Sequence, residues 1–169
     1  MYRVYLDEIR RCEAEKGLDL QPPASGQDLL ELKRISVSEL GSDIPDGYAD
    51  FLRITNGLEF GGVCIYASRR ITVDLGHRTY DIIGFVEATL MWRSMSDDYE
   101  RLLVFGDSDL DIYVYDLVDK EYRVQDRGAS DMVEAVYGSF DELMTHALWT
   151  SLTPDLRAKF PPRPKGEHL

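Results

Sequence analysis

Cysteine is scarce: Cys12 and Cys64 are the chain's two cysteines in 169 residues. They lack the spacing of a metal-ligand pair and do not suggest a disulfide framework. A chain of this length buries a real core without such staples. Both are expected to be small buried hydrophobes in a reducing compartment. Long apolar runs are also missing, since none approaches the ~18–20 residues of a membrane span. The opening stretch MYRVYLDEIRRCEAEKG is charged throughout and has no apolar h-region, so it does not read as a signal peptide. The expectation is a cytoplasmic protein with no membrane partner. Positive charge is short as well: 19 Lys and Arg stand against 31 Asp and Glu, a net −12. Phosphate backbones repel such a chain, which argues against direct nucleic-acid binding. Basic protein partners are favoured instead, and their encounter is accelerated.

Catalytic and ligand motifs are equally sparse. His77, His146 and His168 lie far apart and form no HExxH pair. His77, in a loop beside Arg78, is the histidine worth testing. Gly57, Gly61 and Gly62 read as turn glycines and build neither G-x-G-x-x-G nor a P-loop. No G-x-S-x-G elbow is present, and Cys64 in a strand core would be a poor nucleophile. Asp107-Ser108-Asp109-Leu110-Asp111 begins like a calcium loop. Ile112 and Val118 then occupy the positions that need Gly and Glu, so the loop fails. No catalytic residue, metal or cofactor is assigned.

The hydrophobic pattern is informative. Tyr2 to Lys16 reads as an amphipathic helix, with Val4 or Tyr5, Ile9 and Cys12 inward. Pro22-Pro23 marks a loop, and Ser25 is placed to cap a second helix with Leu29, Leu32, Lys33 and Ser36 along one side. Pro45 suits the first turn of a third helix, with Tyr48, Phe51, Leu52 and Thr55 on one face. Asn56-Gly57 stops that helix, and Val63 to Ala67 reads as a buried strand. Ile71 to Leu75 alternates as a half-buried strand, Gly76 to Tyr80 reads as a loop, and Gly84 to Met95 as a helix. Strands at Arg101 to Gly106, Leu110 to Leu117 and Tyr122 to Gln125 are joined by tight turns, which implies an antiparallel meander. Ala129 to Tyr137 is ambiguous. Ser139 with Glu142 forms a capping-box pattern that opens a last helix.

The fold class is therefore α+β: one domain, an antiparallel meander sheet with helices packed largely on one face. The domain is placed at residues 1–150. Residues 151–169 are read as a C-terminal Pro-rich extension, partly mobile.

The order Ile44, Pro45, Tyr48, Phe51, Leu52, Asn56, Gly57 and Gly62 resembles the signature of the SUKH superfamily. That superfamily includes yeast cell-wall assembly regulators and many bacterial immunity proteins. The resemblance implies the same architecture, with helices before the sheet and one after. It also implies a non-catalytic immunity protein that neutralises a secreted toxin, typically a nuclease, by occluding its active surface. The cell-wall relatives imply an alternative, a regulatory scaffold with several protein partners. A small hydrolase is a third reading.

Charge distribution adds an independent argument. Asp97 to Glu142 holds 14 acids and 4 bases, which is −10 of the chain's −12. An even solvating coat would not be so lopsided. Within this segment Glu100, Asp107, Asp109, Asp111 and Tyr113 are the expected partner contacts. Tyrosines amid carboxylates suit an Arg- or Lys-rich protein surface. Whether Tyr113 and Tyr115 face solvent or a layer of helices is open in the sequence, as is the oligomeric state.

Overall fold

The stretch that opens at Pro45 folds largely as its spacing predicts. In the computed structural model, which describes residues 1–129 and 131–160, helix α3 spans Asp46–Leu52. Pro45 is its N-cap in extended geometry, one position ahead of the expected first turn. Tyr48, Phe51, Leu52 and Thr55 are all fully buried. Gly57 takes the left-handed φ of +87° that ends the segment. A side chain there would also press on Ile82, Ala67 and the Ile65 carbonyl, so glycine is required twice over.

Two helices precede it. In α1 (Arg3–Glu15), Tyr5, Leu6 and Ile9 face inward, while Val4 is exposed. In α2 (Gly26–Leu40), Ser25 and Asp28 form a reciprocal capping box, and Leu29, Leu32, Ser36 and Leu40 make the buried stripe. The expected cap is thus present.

The main sheet has six strands in the order β1-β2-β5-β6-β7-β8. They are β1 (Leu58–Phe60), β2 (Val63–Ile65), β5 (Leu102–Asp107), β6 (Asp111–Asp116), β7 (Glu121–Asp126) and β8 (Val133–Tyr137), all antiparallel. β8 resolves the ambiguous stretch, and β1 was not expected. A separate hairpin pairs β3 (Ile71–Asp74) with β4 (Thr79–Ile82). Part of the stretch read as a loop over Gly76 to Tyr80 is therefore strand. Its Thr79, Tyr80 and Asp81 alternate too briefly between loop residues for a strand signal.

Helix α5 (Phe140–Ser151) lies on one face of the sheet, contacting β2, β7 and β8, with α1 and α3 against it. Aromatic side chains fill this layer. Phe105 and Phe140 meet edge-to-face at 5.2 Å, and Tyr48 lies within 5.1 Å of Phe105 and 5.8 Å of Phe140. The Tyr48 hydroxyl donates to the Tyr66 carbonyl at 2.8 Å, and Trp92 Nε1–H donates to the Tyr66 hydroxyl at 2.9 Å.

The boundary at residue 150 falls inside α5. Leu152 is buried, α6 (Pro154–Arg157) follows, and Phe160 packs in a tilted contact against Tyr5 at 4.9 Å. Arg157 Nε donates back to the Trp149 carbonyl at 3.1 Å. Residues 151–160 therefore belong to the domain. The rest of the expected extension, 161–169, lies outside the described residues.

Helix α4 (Phe85–Arg93) solves an edge problem. β2 pairs with β5 only near Gly106 and Asp107, which leaves the other half of β5 without a strand on that edge, its opposite edge being paired with β6. There Thr89 Oγ1 accepts from the Val104 N–H at 3.1 Å and donates to the Val104 carbonyl at 3.4 Å. Arg93 donates to the Leu102 carbonyl at 3.0 Å. A helix thus replaces the missing strand. Replacing Thr89 by Val keeps the shape and orphans a buried N–H. Thr89→Val is expected to cost about 1–3 kcal/mol in urea unfolding, with Thr89→Ser close to wild type.

Candidate functional site: the acidic turns of the meander

Strand direction sorts the acidic segment into two ends. Asp107 closes β5, Asp109 sits in the following turn and Asp111 opens β6. The far end of β7 brings Asp126 beside them, whereas Asp131, just before β8, lines a separate cleft with Asp97, Asp98, Arg101, Asp116 and Arg123. Glu100 precedes β5 at the opposite end, roughly 20 Å away at the usual strand rise. The five expected contacts therefore do not form one patch.

The turn at Asp107 is held by its own polar groups. Ser108 Oγ accepts from the Asp111 N–H at 3.0 Å, and the Ser108 N–H donates to the Asp111 carbonyl at 2.8 Å. Arg127 clamps it from the neighbouring strand. Its guanidinium reaches Asp107 at 3.0 Å and the Ser108 carbonyl at 2.8 Å, and its N–H donates to the Leu110 carbonyl at 2.7 Å. The same guanidinium lies 5.6 Å from the Trp92 ring centre.

The carboxylates here are not equivalent. Burial raises the Asp107 pKa, with Arg127 opposing. Asp109 is exposed. Asp111 stands directly opposite Asp126 in the β6–β7 register. Leu110 and Met132 flank this end and are 75% and 52% exposed. A cleft of about 250 Å³ opens beside it, lined by Glu59, Cys64, Asp107, Asp109 and Arg127 among others. Burial pushes the Cys64 thiol up to about 12, so at neutral pH it stays a thiol and a weak nucleophile.

Tyr113 requires a correction. It is 0% exposed, and its ring lies 6.4 Å from that of His146 in α5. It is a core residue and cannot touch a partner on this surface. Tyr115 also turns toward the helical side, 4.7 Å from Tyr122. Strand alternation put both tyrosines on one face correctly; it could not say that helices cover that face. Asp126, Arg127, Leu110 and Met132 were missed as members of the site. Counting the β6–β7 register from its hairpin would have found Asp126 and Arg127.

The opposite end is structural. Asp116 is fully buried and pairs with Arg123 at 2.6 Å and with Arg101. Its other oxygen accepts from the Val118 and Asp119 N–H groups at 2.8 and 3.0 Å. Arg123 also reaches Asp119 at 2.6 Å and Glu121 at 2.9 Å. The hydrogen bond from Arg123 holds Asp119 below the usual carboxylate range. Exposed Glu100 stands at the rim of this network.

His77 is exposed, with Nδ1 3.2 Å from the Leu75 carbonyl. His146 is buried, with Nδ1 2.6 Å from the Tyr137 hydroxyl. Among the described residues, no group of three or more His, Cys, Asp and Glu side chains is placed to hold a metal, and no helix is long and apolar enough to cross a membrane. No protein-family model matches the chain, and no curated protein matches it.

A carboxyl titration by NMR is expected to place the Asp107 midpoint above 3.8 and the Asp119 midpoint below it. The sign for stability follows. A raised folded-state value favours folding below the unfolded pKa, and that contribution is lost as pH rises through the Asp107 midpoint. Asp119 acts oppositely, its contribution being lost as pH falls through its depressed midpoint. Asp107→Asn should flatten the first of these slopes in pH-dependent unfolding.

Proposed function

We propose that this is a non-catalytic protein-binding domain of SUKH type, an immunity protein that neutralises a basic toxin domain, a nuclease by preference. The carrying observation is the turn end of the meander. Asp109, Asp111 and Asp126 gather there beside Arg127, which is clamped on Asp107, and Leu110 and Met132 are exposed at the same end. Apolar anchors inside a charged rim are the usual anatomy of a protein interface. An acidic surface of this kind also mimics the charge of a nucleic-acid substrate and speeds encounter with a basic cleft. The resemblance carried by Pro45, Phe51, Asn56 and Gly57 supports the family part of the proposal, and those residues are structural.

The test is co-expression with a toxin domain encoded beside this gene. Rescue of growth together with a co-purifying complex at about 1:1 is the expected result. Absence of both rescue and complex would overturn the immunity reading in favour of a scaffold. With such a complex in hand, Asp109→Lys plus Asp126→Lys is expected to slow association about tenfold or more at low salt and to flatten its salt dependence. Stopped-flow mixing across a salt series measures both.

A further inference from the structure

A groove of about 370 Å³ lies between α2 and the start of α4, away from the acidic turns. Leu32, Ile35 and Val86 supply apolar walls, and Ser68 and Gly84 also line it. Its size falls in the range of small-molecule pockets. Two donor features meet in it.

The first is Ser68. The residue is 7% exposed, and its N–H donates to Asn56 Oδ1 at 2.8 Å. Its hydroxyl oxygen is buried and has no hydrogen-bond partner. Buried hydroxyls are nearly always bonded, so this one calls for an occupant.

The second is the N-terminus of α4. Its N-cap is Gly84, which supplies no side-chain cap, in contrast to the capping box of α2. A Cβ at Gly84 would fall 2.9 Å from the Arg69 Cα and carbonyl carbon and from the Arg70 nitrogen. Close backbone packing therefore excludes the Ser, Thr, Asn or Asp that would cap this helix from within. The Phe85 N–H is taken by the Ala67 carbonyl at 2.9 Å. The first turn beyond it keeps the partial positive charge of a helix start.

Charge narrows the ligand. Asp28, Glu31 and Glu87 line the groove, and each is matched by a cation. Asp28 meets Arg69 at 3.3 Å, Glu31 meets Arg34 at 2.7 Å, and Glu87 meets Arg70. These pairs leave no surplus positive charge for an anionic head, and the chain as a whole carries −12. An uncharged carbonyl oxygen can accept from the donors without meeting that repulsion.

We propose that the groove binds a small uncharged amphiphile. Its amide or ester carbonyl would accept from Ser68 Oγ–H and the first turn of α4, and its alkyl body would lie along Leu32, Ile35 and Val86. The site is independent of the protein-partner surface.

Amide NMR of the full chain, titrated with N-methyloctanamide, tests this. Saturable shifts at Ser68, Val86 and Glu87 are expected, with octanoate binding more weakly. Ser68→Ala removes a hydroxyl that bonds to nothing, so the fold is retained, and affinity should fall at least about fivefold. Ile35→Asp, at a half-buried wall position, should weaken binding from the apolar side. Absence of saturable shifts, shifts confined to other regions, or undiminished affinity in Ser68→Ala would overturn the site. Tighter binding of octanoate would overturn the uncharged class.

Discussion

The contact between Phe105 and Phe140 is the joint on which the domain depends. It binds the central strand β5 to the last helix, and Tyr48 of α3 closes on both rings. Phe85, at the start of α4, stacks on Phe105 at 5.7 Å, so four elements distant in sequence share one aromatic layer. Large rings bury much area and add a geometric preference for tilted and edge contacts. The Tyr48 hydroxyl then fixes the Tyr66 carbonyl, which sets where β2 leaves β5. From that departure follow both the gap that Thr89 and Arg93 fill and the groove beside Ser68.

The polar chemistry divides along the strands. At one end of the meander, carboxylates are consumed in structure. Asp116 is surrounded by Arg123, Arg101 and two backbone N–H groups, and it shapes the turn in which Lys120 takes a positive φ. At the other end Arg127 clamps Asp107 while Asp109 stays exposed in the turn. The asymmetry is the physical basis for placing a partner there, and it is a finer statement than net charge alone.

Much of this was legible in the chain. Periodicity located α1, α2, α3, α4, α5 and the strands of the meander, because each carries a stripe that one face of the core requires. Capping chemistry gave Ser25 and Ser139 their places. The site was legible only in part. Asp107, Asp109 and Asp111 cluster because they are close in sequence, whereas Glu100 is separated from them by the length of a strand. Tyr113 was misplaced because alternation distinguishes two faces without saying which of them a helix will cover. The groove at Ser68 left no trace, since it joins α2, a loop and a helix start through tertiary packing alone.

The proposed docking surface is the Asp107–Asp111 turn and the end of β7 through Arg127 beside it. Hydrogen–deuterium exchange of the chain, free and bound to its basic partner, tests this most directly. The account predicts new protection in those two segments, with the Asp116 turn and α2 unchanged. Protection centred on α2 and α4, or at the Glu100 end alone, would contradict it.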